Sequence, residues 1–250
     1  MAFGGAVAVT HEAYRIVGTP KFGGVLVVSD HASNRVPGDI DLGIAPALLD
    51  QHIAVDIGVA AVAEIMARRP GTAAFLGNVS RLVCDFNRDA HAPAAIPTAS
   101  DGHAIPGNAL SHEAREARLA RFFHPYHAAL ADLLDAMPPA LILSLHSFTP
   151  RLASSDEARP WQVGVLYNED DRAARLAIPL LAAEGLVVGD QQPYSGKLLN
   201  ATMNRHAEAE GRPYLGIEVR QDHIGHAEGH AQWAERLARI ANAVAMELME

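Results

Sequence analysis

The stretch Ala-Leu-Ile-Leu-Ser-Leu-His-Ser at Ala140–Ser147 is almost wholly apolar until it reaches His146. Such a run is typical of a strand that is buried on both faces. Two other stretches share this design, since Val25–His31 ends in a histidine and Tyr214–Arg220 carries Glu218 near its end. Ligands of open α/β sheets bind at the carboxyl ends of strands, so we predict one shared site. Two histidines and a glutamate there are typical of a metallohydrolase.

The composition indicates a single domain, residues 1–250, of which 49% are apolar, enough for a large core. The 20 Lys and Arg residues against 29 Asp and Glu give a net charge of −9. This acidic balance argues against nucleic acid or an anionic membrane as a partner. The sequence shows neither a long apolar span nor a signal-peptide pattern, so we expect a cytoplasmic protein.

Helical patterns alternate with the apolar runs along the chain. We predict helices at about 46–68, 111–136, 170–184, 198–210 and 229–249, and strands at 25–29, 72–76, 82–86, 140–145, 162–167 and 214–219. The alternation predicts an α/β fold with a mixed, mostly parallel sheet flanked by helices. Residues 90–110 are rich in proline and glycine and are predicted as a long loop, a kind that often serves as a lid.

Zinc hydrolases hold the metal with three protein ligands and leave one position open, so His31 and His146 need a third partner. Asp56 interrupts an apolar helical stretch, where an unpaired carboxylate would be costly. We therefore predict Asp56 as the third ligand, with His52 as the competitor, while a buried salt bridge of Asp56 stays open as an alternative. Strand alternation directs Asp30 away from the face of His31.

Glu218 stands between apolar neighbours in a predicted buried strand, where a carboxylate needs a partner or a function. One interpretation pairs it with an arginine such as Arg220. The other makes it the base that deprotonates the attacking water and then the acid for the leaving amine.

The segment Arg-Leu-Val-Cys-Asp-Phe-Asn-Arg at Arg81–Arg88 is the second polar stretch. As a strand it would place Arg81, Asp85 and Asn87 on one face. The arginine fork suits bidentate binding of a substrate carboxylate, although an internal Arg–Asp pair would explain the pattern too. Tyr194 is a further candidate for ligand contact from a loop.

Seven short motifs occur in an order that resembles a known family. They are Asp30-His-Ala-Ser-Asn-Arg-Val-Pro37, Asp56-Ile-Gly58, Ser80-Arg-Leu82 with Asp85-Phe-Asn-Arg88, Pro125-Tyr-His127, Leu145-His-Ser147, Pro193-Tyr-Ser-Gly196 and Ile217-Glu-Val-Arg220. Together they resemble the N-formylglutamate amidohydrolase family, which is related to the zinc carboxypeptidase and aspartoacylase group. The similarity runs from about residue 20 to the C-terminus.

The resemblance implies a phosphorylase/hydrolase-like α/β fold and zinc-dependent cleavage of an acyl group from an amino acid. By motif, it implies that His31 and His146 are zinc ligands and that Glu218 is the general base and acid. The wider group uses a His-x-x-Glu pair of ligands, whereas Asn34 stands at the glutamate position here. That departure leaves the third ligand open.

The resemblance also implies that Arg81 stabilises the oxyanion and that Asn87 with Arg88 holds a substrate carboxylate. We therefore predict a zinc-dependent amidohydrolase acting on a small N-acyl amino acid, with N-formyl-L-glutamate, an intermediate of histidine catabolism, as the leading candidate. One alternative is a zinc carboxypeptidase-like amidase for peptides or peptidoglycan. Another, from a different class, is a metal-free binder of small carboxylates that uses Arg81 and Arg88.

Overall fold

The computed structural model describes residues 9–155 and 157–250, and its strands form an eight-stranded sheet and a separate hairpin. The strands are β1 Val9–Thr10, β2 Tyr14–Gly18, β3 Val25–Ser29, β4 Thr72–Gly77, β5 Ala99–Ser100, β6 His103–Ala104, β7 Leu141–Phe148, β8 Val163–Leu166, β9 Val188–Asp190 and β10 Tyr214–Arg220. The large sheet has the order β1-β2-β4-β3-β7-β10-β8-β9. Its four central strands, β4, β3, β7 and β10, are mutually parallel, while β2 and β8 flank them antiparallel.

Helices cover both faces of the sheet, so the core lies in two layers. The helices are α1 Val59–Met66, α2 His112–Arg118, α3 His124–Ala136, α4 Arg172–Ala183, α5 Ala201–His206 and α6 Ala227–Glu247, and a π-helical turn, Leu119–Phe123, joins α2 to α3. Side chains of α1, α4 and α6 pack on one face, and those of α3 and α5 pack on the other. The predicted α/β fold with a mixed, mostly parallel sheet is confirmed.

The predicted helix at 46–68 is wrong over most of its length. A 3₁₀ turn covers Pro46–Asp50, and the α-helix begins only at Val59. The cause is Gly58, whose backbone is left-handed with φ 84° and therefore cannot continue a right-handed helix. A side chain at this position would collide with the carbonyl of Ile224, so a distant contact fixes the glycine there. Asp56 consequently lies in the loop that precedes α1.

The predicted strand at 82–86 is also wrong, because this segment forms tight turns instead. The amides of Val83 and Cys84 both donate to the carbonyl of Ser80, at 2.8 and 3.2 Å. The side chains of this segment are buried nonetheless. A short apolar run thus reports burial correctly while leaving the backbone conformation undetermined.

The predicted loop at 90–110 holds short elements of its own. The hairpin of β5 and β6 lies within it, between 3₁₀ turns at Pro93–Ala95 and Pro106–Asn108. Within the part of the chain that the structure describes, no helix combines the length and the apolar character needed to cross a membrane.

Candidate active site

Three adjacent parallel strands bring the predicted functional residues to one edge of the sheet. Strand β7 lies between β3 and β10, and its His146 stands directly opposite Glu218 in the register. His31 follows the end of β3 by two residues. The abrupt ends of the three apolar runs therefore converge, as expected for parallel strands.

The three predicted metal ligands, His31, Asp56 and His146, form a buried cluster. Oδ2 of Asp56 lies 2.8 Å from Nδ1 of His146 and 3.3 Å from Nδ1 of His31. One donor atom from each residue lies within 4.8 Å of the others. The loop before α1 is held in place because the Asp56 amide donates to the His31 carbonyl at 3.0 Å.

The two other residues considered for the third ligand position lie elsewhere. Nε2 of His52 is 2.9 Å from a carboxylate oxygen of Asp101. Asn34 is exposed, and its amide donates to Asp50 at 3.0 Å. Two imidazoles and one carboxylate within this spacing form a donor set that fits a divalent ion such as zinc, with a position left for substrate.

Each histidine of the cluster is backed by a second carboxylate that the sequence analysis did not assign. Nε2 of His31 lies 2.7 Å from Oδ1 of Asp85, and Nε2 of His146 lies 3.3 Å from Oδ2 of Asp30. Histidines that bind metals commonly donate their second N–H to a carboxylate in this way, which fixes the ring and raises its basicity. The arrangement therefore orients both Nδ1 atoms toward Asp56.

Asp30 is completely buried and does not line the pocket, but its Oδ2 reaches the imidazole of His146. Its Oδ1 accepts hydrogen bonds from Tyr126 at 2.9 Å and Thr202 at 2.8 Å. Although burial alone would raise its pKa, the neighbouring histidines His146 and His31 hold the pKa of this carboxyl below its usual range. Its contacts with Tyr126 and Thr202 place Asp30 on the same side of the sheet as Leu26 and Val28 of β3, as strand alternation predicts.

Arg81 binds two carboxylates of the site. Its Nη2 donates to Asp85 at 2.8 Å, and its Nη1 lies 3.3 Å from Oδ1 of Asp56. The internal Arg–Asp pair that the sequence offered as an alternative is therefore present. Because the guanidinium also lines the pocket, this pair holds Arg81 beside the cluster with its position fixed.

Asn87 and Arg88 both line the pocket, but they differ in their hydrogen bonds. The backbone N–H of Asn87 donates to Oδ1 of Asp85, and the side-chain Oδ1 of Asn87 accepts from the backbone N–H of Thr202, each at 3.0 Å. Nε of Arg88 lies 3.7 Å from Asp85, and its guanidinium donates no hydrogen bond within residues 9–155 and 157–250. Arg88 is thus the arginine of this segment whose fork is available to an anionic ligand.

Glu218 lies in β10, and its buried Oε2 has no hydrogen-bond partner among the described residues. Burial raises the pKa of Glu218 to about 7, with a further increase from the charge of Asp56. Arg220, the alternative partner, binds Asp222 instead, at 2.8 Å. A poised carboxyl without a partner is typical of a general base.

Tyr194 contributes a phenol to the pocket wall. Its oxygen accepts a hydrogen bond from Nη1 of Arg159 at 3.0 Å, and the guanidinium of Arg159 also lies over its ring at 5.1 Å. The phenolic proton of Tyr194 is therefore left free to donate to a ligand.

A single pocket of about 310 Å³ collects all eight residues that the sequence predicted for the site. They are His31, Asp56, Arg81, Asn87, Arg88, His146, Tyr194 and Glu218. The pocket also includes Asp101 and Ser154, which sequence reasoning missed because they lie on loops without a recognisable motif.

Comparison with known proteins agrees with this geometry. A family model described as N-formylglutamate amidohydrolase matches residues 23–225, so the chain belongs to this family of hydrolases acting on amide bonds. Among curated protein sequences, none matches the chain.

Two solved structures have the same fold over 96% of this chain. The gene product Atu2144 from Agrobacterium tumefaciens is 27% identical, with a TM-score of 0.89 over 96% of this chain and 97% of its own. An N-formylglutamate amidohydrolase from Ralstonia eutropha JMP134 is 21% identical, with a TM-score of 0.70 over 96% of this chain and 99% of its own. The α/β fold expected from the sequence is therefore shared with both structures.

Proposed function

We propose that this member of the N-formylglutamate amidohydrolase family is a zinc-dependent enzyme that removes the formyl group from N-formyl-L-glutamate or a closely similar N-acyl amino acid. The observation that carries the proposal is the buried cluster of His31, Asp56 and His146 beside the unpartnered Oε2 of Glu218. A donor set and a free carboxylate in one pocket are the two requirements of metal-assisted amide hydrolysis.

A zinc ion held by His31, Asp56 and His146 would supply a Lewis acid for the amide carbonyl and increase the acidity of a nearby water. Glu218 takes a proton from the attacking water at Oε2, and the water oxygen forms a bond to the carbonyl carbon. The same carboxyl then gives that proton to the amide nitrogen as the C–N bond breaks. Formate and the free amino acid are the products.

Recognition of the substrate is assigned to four further residues that line the same pocket, Arg81, Asn87, Arg88 and Tyr194. Arg88 binds a substrate carboxylate with its free fork, since planar guanidinium groups match carboxylates in a bidentate manner. The side-chain Nδ2 of Asn87 and the phenolic O–H of Tyr194 donate hydrogen bonds to the bound molecule. Arg81, fixed by its two aspartates, stabilises negative charge that develops on the carbonyl oxygen.

The decisive experiment measures hydrolysis of N-formyl-L-glutamate by protein stripped with a chelator, before and after addition of zinc. Activity only after zinc addition is the expected result. Zinc binding without activity would redirect the proposal to other N-acyl amino acids or to a short peptide, which the same assay can screen. If neither zinc binding nor activity is found, the enzyme proposal fails and the metal-free carboxylate binder takes its place.

A further inference from the structure

The hairpin of β5 and β6 carries an aspartate at its turn whose side chain points inward. Asp101 and Gly102 connect the two strands with φ values of 40° and 83°. Two consecutive residues with positive φ are the signature of a type I′ turn, for which Asp-Gly is a preferred sequence. The turn explains the backbone conformation of Asp101 but does not require its carboxylate to be buried.

The carboxylate of Asp101 is nevertheless only 6% exposed, and it joins three segments of the chain. Its Oδ2 lies 2.9 Å from Nε2 of His52 and 3.0 Å from the amide of Ala153, and its Oδ1 lies 3.0 Å from the amide of Ser154. One ring N–H and two backbone N–H groups thus converge on a single charged acceptor. Charge-assisted hydrogen bonds of this kind are about twice as strong as neutral ones.

All three segments line the pocket that contains the metal-ligand cluster. His52 contributes from the loop before α1, Ser100 and Asp101 from the hairpin, and Leu152 and Ser154 from the loop after β7. No other carboxylate among the described residues joins these three loops by side-chain hydrogen bonds. The wall of the pocket in this region therefore depends on the contacts of Asp101.

We propose that Asp101 is a positioning and specificity-determining residue, a latch that fixes this wall and limits the pocket to substrates about the size of one N-acyl amino acid. The inference rests on the proposed function for its substrate class. Without the carboxylate, two backbone N–H groups and one ring N–H lose their acceptor, and the loops separate to expose them to water. The pocket of about 310 Å³ then opens to longer molecules.

The test uses Asp101→Asn, because asparagine has the same size and also suits a type I′ turn, yet its amide removes the charge. The matched control is Asp41→Asn at an exposed turn, where the carboxylate accepts, among the described residues, only the backbone N–H of Gly43. We would measure kcat and KM for N-formyl-L-glutamate, for N-benzoyl-L-glutamate and for N-formyl-L-glutamyl-glycine. The last two are enlarged at opposite ends.

For Asp101→Asn the expected result is a KM for N-formyl-L-glutamate about ten-fold higher, with kcat nearly unchanged, because loss of a charge-assisted hydrogen bond weakens the closed wall by that order. The kcat/KM of at least one enlarged substrate should rise relative to that of N-formyl-L-glutamate. The Asp41→Asn variant should match the wild type in both respects. Equal KM and equal selectivity in the two variants would overturn the specificity role.

A second measurement tests the latch without any substrate. Hydrogen exchange of a peptide that covers Ala153 and Ser154 should be about ten-fold faster in Asp101→Asn than in the wild type, because one carboxylate oxygen becomes an NH₂ group that cannot accept and the remaining oxygen carries no charge. Unchanged exchange would overturn the latch itself. A wild-type protein that hydrolyses none of the substrates would instead overturn the proposed function and the size limit with it, so the two failures are distinguishable.

Discussion

Nε2 of His146 lies 3.3 Å from Oδ2 of Asp30, and neither atom has a hydrogen bond to another group among the described residues. Asp30 is anchored from behind by Tyr126 and Thr202, so its second oxygen can serve only the histidine. Asp85 occupies the equivalent position behind His31. The candidate metal centre therefore has carboxylates on both of its histidines.

The first prediction concerns this outer carboxylate. Asp30→Asn keeps the shape of the side chain but removes its charge, so the imidazole of His146 becomes a weaker ligand. Loss of such a partner typically lowers metal affinity about 10–100-fold. Competition for zinc with a chromophoric chelator measures the effect, with the exposed Asp89→Asn as the control. A folded Asp30→Asn protein that binds zinc as tightly as the wild type would contradict the assignment.

The second prediction separates metal binding from proton transfer. Glu218→Gln should retain zinc, because Glu218 is not part of the ligand cluster, but should lose turnover by a factor of about 10²–10⁴. Metal content and kcat are measured on the same sample. Glu228→Gln, an exposed change on α6, is the matched control and should behave as the wild type. Normal turnover in Glu218→Gln would eliminate the role of general base.

The third prediction identifies the third ligand. Asp56→Ala should abolish stoichiometric zinc, since the two imidazoles alone leave the ion with too few protein ligands. His52→Ala and Asn34→Ala should both retain it, because these side chains bind Asp101 and Asp50. Elemental analysis after gel filtration decides between them. Zinc retained in Asp56→Ala and lost in His52→Ala would reverse the assignment.

The sequence predicted the parts of the site that depend on buried strands. Long apolar runs located β3, β7 and β10, and their polar ends located His31, His146 and Glu218. These inferences succeeded because a central parallel strand is apolar on both faces, so any polar residue near its end stands out.

Loop geometry could not be predicted in the same way. The position of Asp56 depends on Gly58, whose left-handed backbone is fixed by a carbonyl of Ile224, far away in the chain. The contact of Asp30 with His146 depends on the pairing of β3 with β7, which no pattern within β3 reports. The inward turn of Asp101 depends on amides of a loop some fifty residues later. Each of these features is set by tertiary contacts that no local pattern reports.

The last prediction concerns stability against acid and depends on a histidine pair outside the pocket. Nε2 of His127 lies 3.1 Å from the carbonyl of Phe86, so this nitrogen carries the proton, and Nδ1 of His127 accepts from Nε2 of His206 at 2.9 Å. Both rings are buried and neutral in this arrangement. Burial, with the nearby charge of Arg205, lowers the pKa of His127 to about 3 and that of His206 to about 4.

The direction in which pH changes the free energy of unfolding is set by the unfolded chain, where a histidine has its ordinary pKa near 6.5. As the pH falls below about 6.5, the unfolded state binds protons that the folded state excludes, so the free energy of unfolding decreases. At pH 5 the loss is roughly 2 kcal/mol for His127 and nearly the same for His206, because both folded-state pKa values lie well below 5. Full stability is present above about pH 7, and the loss is complete only below the folded-state pKa values.

Urea unfolding at pH 7.5 and pH 5 measures this dependence, and His127→Gln isolates it. Glutamine can still donate to the Phe86 carbonyl but does not titrate, so the variant should lose less stability than the wild type between the two pH values. The exposed change His91→Gln is the control, and it should leave the wild-type difference intact. If wild type and His127→Gln lose equal stability on acidification, the neutral pair is not the group that senses pH.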